Sequence, residues 1–314
     1  MSRPLVIANP AAGRGHSAGD IEALLAAVRE RVGDVDLVVS ARPGHTAELA
    51  RGAAAAGREL VVALGGDGTV HEVANGLLAE GPPAGPALAI LAIGTGGDFG
   101  RSLGLAHDTA VYLDALGAGR RRTVDVGRAG FTGRDGRAAE CYWVNVLSAG
   151  IGGLVDRYVA SLPDRLGGRP AYMLATLAAL AACRRRRLAC RATLGDGGTI
   201  ERELEGFAVA VCNGHTFGGG MRIAPGALVD DGLFDVVTIE RRSRVTMLKD
   251  FASVYSGTHL TKRGVGHFTC RHLELAPVTS PGAGRVFPLD VDGEPLGDVP
   301  LVVDVIPGAL TVLA

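Results

Sequence analysis

Leu60-Val61-Val62-Ala63-Leu64-Gly65-Gly66-Asp67-Gly68-Thr69 is the stretch that decides the fold. The apolar run reads as a buried strand, the glycines as a sharp turn, and the pattern from Val70 to Glu80 as a helix. With no Cβ in the way, peptide N–H groups can point at one bound anion beside a helix N-terminus, so the turn reads as a phosphate cradle. Asp67 is its informative residue. A carboxylate about 4 Å from a phosphate oxygen is repelled by roughly 4 kcal/mol at an effective dielectric of about 20. It therefore calls for a cation or a hydroxyl: Mg²⁺ near a nucleotide's phosphates, or a reacting alcohol whose proton it receives. The bland alternative is a Gly-Asp-Gly turn with no ligand. Position directly after an apolar strand favours phosphate binding.

The same rhythm continues on both sides. Leu5-Val6-Ile7-Ala8 reads as a first strand, followed by Asn9-Pro10-Ala11-Ala12-Gly13-Arg14-Gly15 and a helix near Asp20–Arg31 with Asp20 as its cap. Gly13-x-Gly15-x-x-x-Gly19 invites a dinucleotide fingerprint, but the second strand, Val35–Val39, ends at Ser40 and not at an acid, which argues against Rossmann-type NAD binding. An Ala-rich helix, Ala47–Ala56, precedes the central strand. After it, Leu88–Ile93 ends at Gly94-Thr95-Gly96-Gly97-Asp98-Phe99-Gly100-Arg101. Three Gly-rich turns after three apolar strands are expected to converge on one crevice at the carboxyl ends of a parallel sheet. Asp98 and Arg101 read as ligand-facing groups beside it, or as a solvated loop pair. There is no G-x-x-x-x-G-K-[ST], and neither lysine, Lys249 or Lys262, lies near a Gly-rich turn, which argues against a P-loop NTPase.

Composition sets the outer limits. The 314 residues, 47% of them apolar, suffice for two domains, and a net charge of −1 provides no field for nucleic acid. Cys141, Cys183, Cys190, Cys212 and Cys270 show no C-x-x-C and are expected to be reduced and mostly buried. The N-terminus has no signal-type apolar region, and no long uncharged apolar run follows, so a cytoplasmic protein is expected.

Beyond Val124-Asp125-Val126-Gly127 the pattern changes to short strands: Trp143–Leu147, Ala189–Leu194, Phe207–Cys212, Phe234–Ile239, Leu273–Leu275 and Leu301–Ile306. The expected layout is an α/β domain over 1–124 and a mainly β domain over 125–314, with the last strand able to return toward the first. One helical insertion, Ala171–Cys183, precedes Arg184–Arg187 and Arg191. It reads as a buried helix followed by a solvated basic turn, with docking on an anionic lipid surface as the alternative.

Taken together, Asn9-Pro10-x-x-Gly13, Gly65-Gly66-Asp67-Gly68-Thr69, Gly94-Thr95-x-x-Asp98-Phe99-x-Arg101 and Val291-Asp292-Gly293-Glu294 resemble the bacterial diacylglycerol kinase-like lipid kinases, relatives of sphingosine kinases. Phe217-Gly218-Gly219-Gly220, Pro225-x-Ala227 and Asp230-Asp231-Gly232-Leu233 extend the resemblance over nearly the whole chain. It implies an α/β N-terminal nucleotide-binding domain, a β-sandwich C-terminal domain that binds lipid, an active-site cleft between them, and the use of ATP and Mg²⁺. It further implies that Gly65, Gly66, Asp67, Gly68, Thr69, Val70 and His71 hold the nucleotide diphosphate with Asn9, Ser40 and Thr95. Asp67 and Asp98 would organise metal and phosphates, Arg101 and Asp125 would support the site, and Glu294 would be the catalytic base. A structural Mg²⁺ would be held by Asp231 with the carbonyls of Leu228 and Leu233. The implied partner is a lipid substrate such as diacylglycerol or a sphingoid base, met at the inner membrane face, and a homodimer is compatible with the sequence.

Three positions depart from the family pattern: Gly97 stands where Asn is usual, Ser40 where Thr is frequent, and His71 where Asn is common. The first bears most on activity, so a weakened nucleotide- or lipid-binding homologue is one alternative. The other is an NAD kinase, which shares the Gly-Gly-Asp-Gly-Thr turn but lacks the opening Asn-Pro-x-x-Gly and the late Asp-Gly-Glu.

Overall fold

The structure is a computed structural model that describes residues 2–10, 18–93, 96–159, 161, 168–240, 243–278 and 287–314. Two compact units divide the chain, Met1–Val126 with Ile306–Ala314, and Gly127–Val305.

In the first unit, β1 (Leu5–Ala8), β2 (Asp36–Val39), β3 (Leu60–Gly65) and β4 (Ala87–Ala92) are parallel in the order β2-β1-β3-β4. The strands β1 and β4 are buried throughout, as apolar runs covered on both faces should be. In contrast, β2 alternates, leaving Leu37 and Val39 exposed at the sheet edge. Helices α1 (Ala18–Val32), α2 (His45–Ala55), α3 (Asp67–Leu77), α4 (Asp98–Ser102) and α5 (Thr109–Ala118) alternate with these strands or follow them. Gly76 lets α2 and α3 approach closely, since a Cβ there would stand 2.2 Å from the Ala47 carbonyl oxygen.

Two helix starts differ from expectation. α1 begins at Ala18, so Asp20 is a first-turn acid facing the helix dipole and not the cap. α3 begins at Asp67, three residues before Val70, because extended Gly66 (φ −91°, ψ −173°) takes the cap position.

The second unit is built on antiparallel pairing. Strand β5 (Arg121–Gly133) carries the chain across the division and pairs with β6 (Ala138–Trp143). Then follow β7 (Val146–Gly150), helices α6 (Ile151–Val159) and α7 (Gly168–Ala182), β8 (Arg186–Thr193), β9 (Thr199–Cys212) and β10 (Phe234–Glu240). Helices α8 (Arg244–Asp250) and α9 (Ala252–Ser256) lead to β11 (Val265–Cys270), β12 (His272–Pro277), β13 (Pro288–Val291) and β14 (Glu294–Leu313). β14 ends in the first unit, where Val312 pairs with Leu88 of β4. The core includes Trp143, Leu147, Leu204, Leu273 and Leu289, with Trp143 stacked on Phe234 at 4.8 Å between ring centroids.

The expected strand Trp143–Leu147 is interrupted. β6 stops at Trp143 and β7 starts at Val146, and between them the amides of Val144 and Asn145, followed by that of Val146, donate to the Asp292 carboxylate. The single helical insertion becomes α6 to α9. The expected basic turn is partly strand: Arg187 and Arg191 lie in β8 and pair with Glu203 and Glu201 of β9. Nor is α7 buried all round, since Ala175 and Ala179 pack inward while Leu174 and Leu177 are exposed. All five cysteines are free, and burial pushes the thiols of Cys141 and Cys270 up to about 12. Among the described residues no helix is long and apolar enough to cross a membrane.

Candidate active site

The first unit gathers its candidate residues at the carboxyl ends of its strands. Leu64 accepts the Asn9 N–H at 3.0 Å, which places Asn9 beside the Gly65-Gly66 turn, and Ala8 accepts the Ser40 N–H at 2.9 Å, which places Ser40 one strand further along the same sheet end. Gly65 is required by Thr69, whose Oγ1 would stand 2.2 Å from an added Cβ. In the first turn of α3, the N–H groups of Thr69 and Val70 donate to the Gly66 carbonyl, leaving those of Asp67 and Gly68 at the helix N-terminus. His71 is buried one turn on, with Nε2 at 3.3 Å from the Asn75 side-chain amide. Thr95 lies outside the described residues, as do Gly94 and the segment 11–17.

Asp67 corrects the premise that its carboxylate must face a cation or a hydroxyl. Peptide groups answer it: Gly97, Asp98 and Phe99 donate their N–H to it at 2.8, 3.2 and 3.4 Å. Strand β3 and its turn are thereby locked to the start of α4 beyond β4. Gly96 completes the lock, since a Cβ there would stand 2.4 Å from Asp67 Oδ2. Three donors occupy three of the carboxylate's about four acceptor sites, leaving room for one more partner. Burial, with the neighbouring Asp98 carboxylate adding to it, raises the Asp67 pKa despite those three N–H groups. Asp98 is itself buried and accepts from Arg101 Nη1 at 2.8 Å, while the same nitrogen donates to the Gly96 carbonyl at 3.0 Å. Two buried carboxylates side by side, with the Arg101 guanidinium against Asp98, form a group that a further cation would stabilise. Asp125 is also buried, but its Oδ1 accepts the Gly308 N–H at 2.8 Å, a structural tie to the end of β14.

Sequence reasoning missed His107 and Tyr112. Gly97 has φ +86°, and a Cβ built on it would stand 2.2 Å from His107 Nδ1. The imidazole thus occupies the space of a side chain at 97. Tyr112 covers Gly100 in the same way at 2.4 Å, and burial, then Asp67, push its hydroxyl up to about 12. Asn tolerates a left-handed backbone better than most residues, so the main obstacle to Gly97→Asn is His107, with φ a lesser one. We expect the double variant Gly97→Asn/His107→Ala to be about 1 to 2 kcal/mol more stable than the sum of the single changes predicts. A urea-denaturation double-mutant cycle measures this, and additivity within error would reject the coupling.

In the second unit, Glu294 opens β14 directly after a two-residue hairpin turn. Asp292 (φ +52°) and Gly293 (φ +92°) both take the left-handed conformation, the arrangement of a type I′ turn, and Val291 pairs with Glu294. The buried Asp292 carboxylate holds the turn through the N–H groups of Val144, Asn145 and Val146 at 2.9, 2.9 and 3.1 Å. Asn213 and Asn145 extend the network to the Val144 and Thr216 carbonyls. The Asp-Gly dipeptide was the available signal for the turn, while nothing local marks the anchor.

Asp231 lies in a separate turn, where Oδ1 accepts the Leu233 N–H at 3.0 Å. Leu228 is 55% exposed. Among the described residues no group of three or more His, Cys, Asp or Glu could hold a metal ion. An ion at this turn would rest on one carboxylate and main-chain oxygens, a hard donor set that suits Mg²⁺.

The second unit also contains an apolar cavity of about 110 Å³ whose lining includes Val155, Leu180, Phe217, Met221, Phe251 and Val254. Three polar side chains, Thr176, Asp250 and His259, interrupt its wall. His259 Nε2 lies 2.9 Å from the Ile223 carbonyl, and burial lowers its pKa.

Comparison with known proteins places these features. Residues 3–129 match the diacylglycerol kinase catalytic domain, and residues 145–314 match the YegS C-terminal NAD kinase beta sandwich-like domain. A Pseudomonas aeruginosa protein named "Probable lipid kinase YegS-like" is 30% identical over 302 residues, 95% of this chain and 91% of that one. A Mycobacterium tuberculosis protein named "Diacylglycerol kinase" is 28% identical over 315 residues, 100% of this chain and 95% of that one. A crystal structure of a diacylglycerol kinase from Bacillus anthracis str. Sterne shares the fold, with a TM-score of 0.69 at 22% identity over 99% of this chain and 96% of that one. The chain belongs to the diacylglycerol kinase-like family of lipid kinases, phosphotransferases that act on an alcohol acceptor.

Proposed function

We propose that this protein transfers the γ-phosphate of ATP to the hydroxyl of a lipid such as diacylglycerol or a sphingoid base. The observation that carries the reading is the Asp67 lock, which ties two strand-end turns together beside the N-terminus of α3, an arrangement that supports phosphate binding there. The amides of Asp67 and Gly68 receive phosphate oxygens, with Asn9, Ser40, Thr69, Val70, His71 and Thr95 around the nucleotide. Arg101 holds Asp98 in place, and Asp67 and Asp98 are the carboxylates that would hold Mg²⁺ near the phosphates. Held by them, the ion would supply positive charge to offset that of the phosphates. Glu294 accepts the proton of the lipid hydroxyl as that oxygen bonds to the γ-phosphorus and the bond to the ADP oxygen breaks. Asp292 positions Glu294 through the anchored turn. Asp231, with the carbonyls of Leu228 and Leu233, would hold the structural Mg²⁺.

The apolar cavity supports a hydrocarbon-bearing acceptor, since its lining suits an acyl chain better than a dinucleotide. We place the enzyme in the cytoplasm, working at the inner face of the membrane. The rival NAD kinase reading draws on the shared Gly-Gly-Asp-Gly-Thr turn. ³¹P NMR of the protein with Mg·ATP and an equal choice of diacylglycerol, sphingosine and NAD separates the two. The proposal expects a lipid phosphomonoester and no NADP; NADP as the sole product would replace it.

A further inference from the structure

Gly97 sits at the strand end proposed to face the nucleotide, yet it brings no side chain there. Its N–H donates to Asp67 at 2.8 Å, and it directly precedes Asp98, the first residue of α4. The space over it is filled from the loop between α4 and α5. Of the atoms around a Cβ built on Gly97, the nearest is His107 Nδ1 at 2.2 Å, followed by Cε1 at 2.7 Å, so a polar edge of the imidazole faces position 97. Nδ1 therefore stands within the reach of an amide hung on that position. Tyr112 orients the ring: the two rings meet edge to face, 6.2 Å between centroids, and Nδ1 lies 3.4 Å from the Tyr112 hydroxyl. A hydroxyl that donates to Nδ1 leaves the ring proton on Nε2, where it can serve as a donor. His107 is half-buried, so a ligand can reach the ring.

We infer that His107 is a nucleotide-contact residue of this chain, supplying from a separate loop the polar side chain that position 97 lacks and donating a hydrogen bond to an oxygen of the bound nucleotide. Packing alone would not select imidazole, since any ring of that size would cover Gly97. The setting selects a donor. The Asp67 and Asp98 carboxylates make this strand end unfavourable for an anion unless N–H groups offset them, and the Arg101 guanidinium is already engaged with Asp98 and the Gly96 carbonyl. The inference rests on the nucleotide reading of the site. It makes the departure at Gly97 a relocation of the side chain and not its loss.

Calorimetric titration of the full chain with Mg·ATP and Mg·ADP tests it, with denaturant unfolding of each variant in parallel. His107→Ala should weaken nucleotide binding about tenfold, the equivalent of one hydrogen bond. His107→Phe, which keeps a ring over Gly97, should weaken it as much while unfolding close to the wild type. Gly97→Asn/His107→Ala, which returns an amide to position 97, should recover affinity to within about threefold of the wild type. Wild-type affinity in His107→Phe would reduce the residue to packing and overturn the inference, as would a double variant that binds no better than His107→Ala. Binding that follows the expected pattern without phosphorylation of any lipid supports the contact and counts against the kinase reading. Lipid phosphorylation with unchanged nucleotide affinity in every variant does the reverse, and a wild-type protein that binds neither nucleotide overturns both.

Discussion

Glu294→Gln should lower phosphoryl transfer to a lipid hydroxyl by about a hundredfold to ten-thousandfold, the range expected when a positioned general base is removed. Nucleotide affinity should stay within about twofold, since the amide keeps the shape of the side chain and the proposed phosphate donors lie elsewhere in the sequence. The structure makes this a clean substitution. Glu294 is exposed at the first position of β14, so its replacement leaves the core intact. The turn before it is held by the Asp292 anchor. Steady-state kinetics with isothermal calorimetry for Mg·ATP separate the two quantities. A variant that keeps wild-type turnover would remove Glu294 from the chemistry.

Asp67→Ala should cost about 2 to 4 kcal/mol of stability and also abolish measurable nucleotide binding. Three N–H groups lose their acceptor together, each worth roughly 1 kcal/mol or more when left unmade, and water entering the cavity offsets part of that. Asp67→Asn should be little better. Its one carbonyl oxygen cannot serve the donors that two carboxylate oxygens serve, and its NH₂ would face N–H groups. Denaturant unfolding and nucleotide calorimetry on each variant report the two effects. If Asp67→Asn kept wild-type stability while losing only ATP affinity, the side chain would be a ligand contact and not the lock described here.

The legible parts of the fold were those written in contiguous residues. β1 and β4 read directly because parallel strands buried on both faces are unbroken apolar runs. The Asp-Gly turn before Glu294 was equally open to reading. The start of α3 was not, because Gly68 looks like turn material although Gly66 supplies the cap and Asp67 already belongs to the helix. The partners of Asp67 lie 30 to 32 positions ahead, and those of Asp292 lie 146 to 148 positions behind. No local pattern encodes such pairings. Single residues therefore looked short of a partner that the fold provides from a distant loop. Likewise α6, with Gly152 and Gly153, did not read as helix. In the fold, Gly152 fits against Ser148 and Gly153 against the Pro288 carbonyl, so the glycines there serve packing. His107 went unnoticed because its significance lies in the side chain that Gly97 lacks.

The most direct test of the account is transfer of label from [γ-³²P]ATP into the chloroform-soluble fraction by the purified protein, with diacylglycerol in mixed micelles and Mg²⁺ present. The account predicts a labelled phospholipid whose appearance depends on both ATP and the lipid hydroxyl. Label that remains in the aqueous phase as ATP or inorganic phosphate, with diacylglycerol and sphingosine alike, would contradict it.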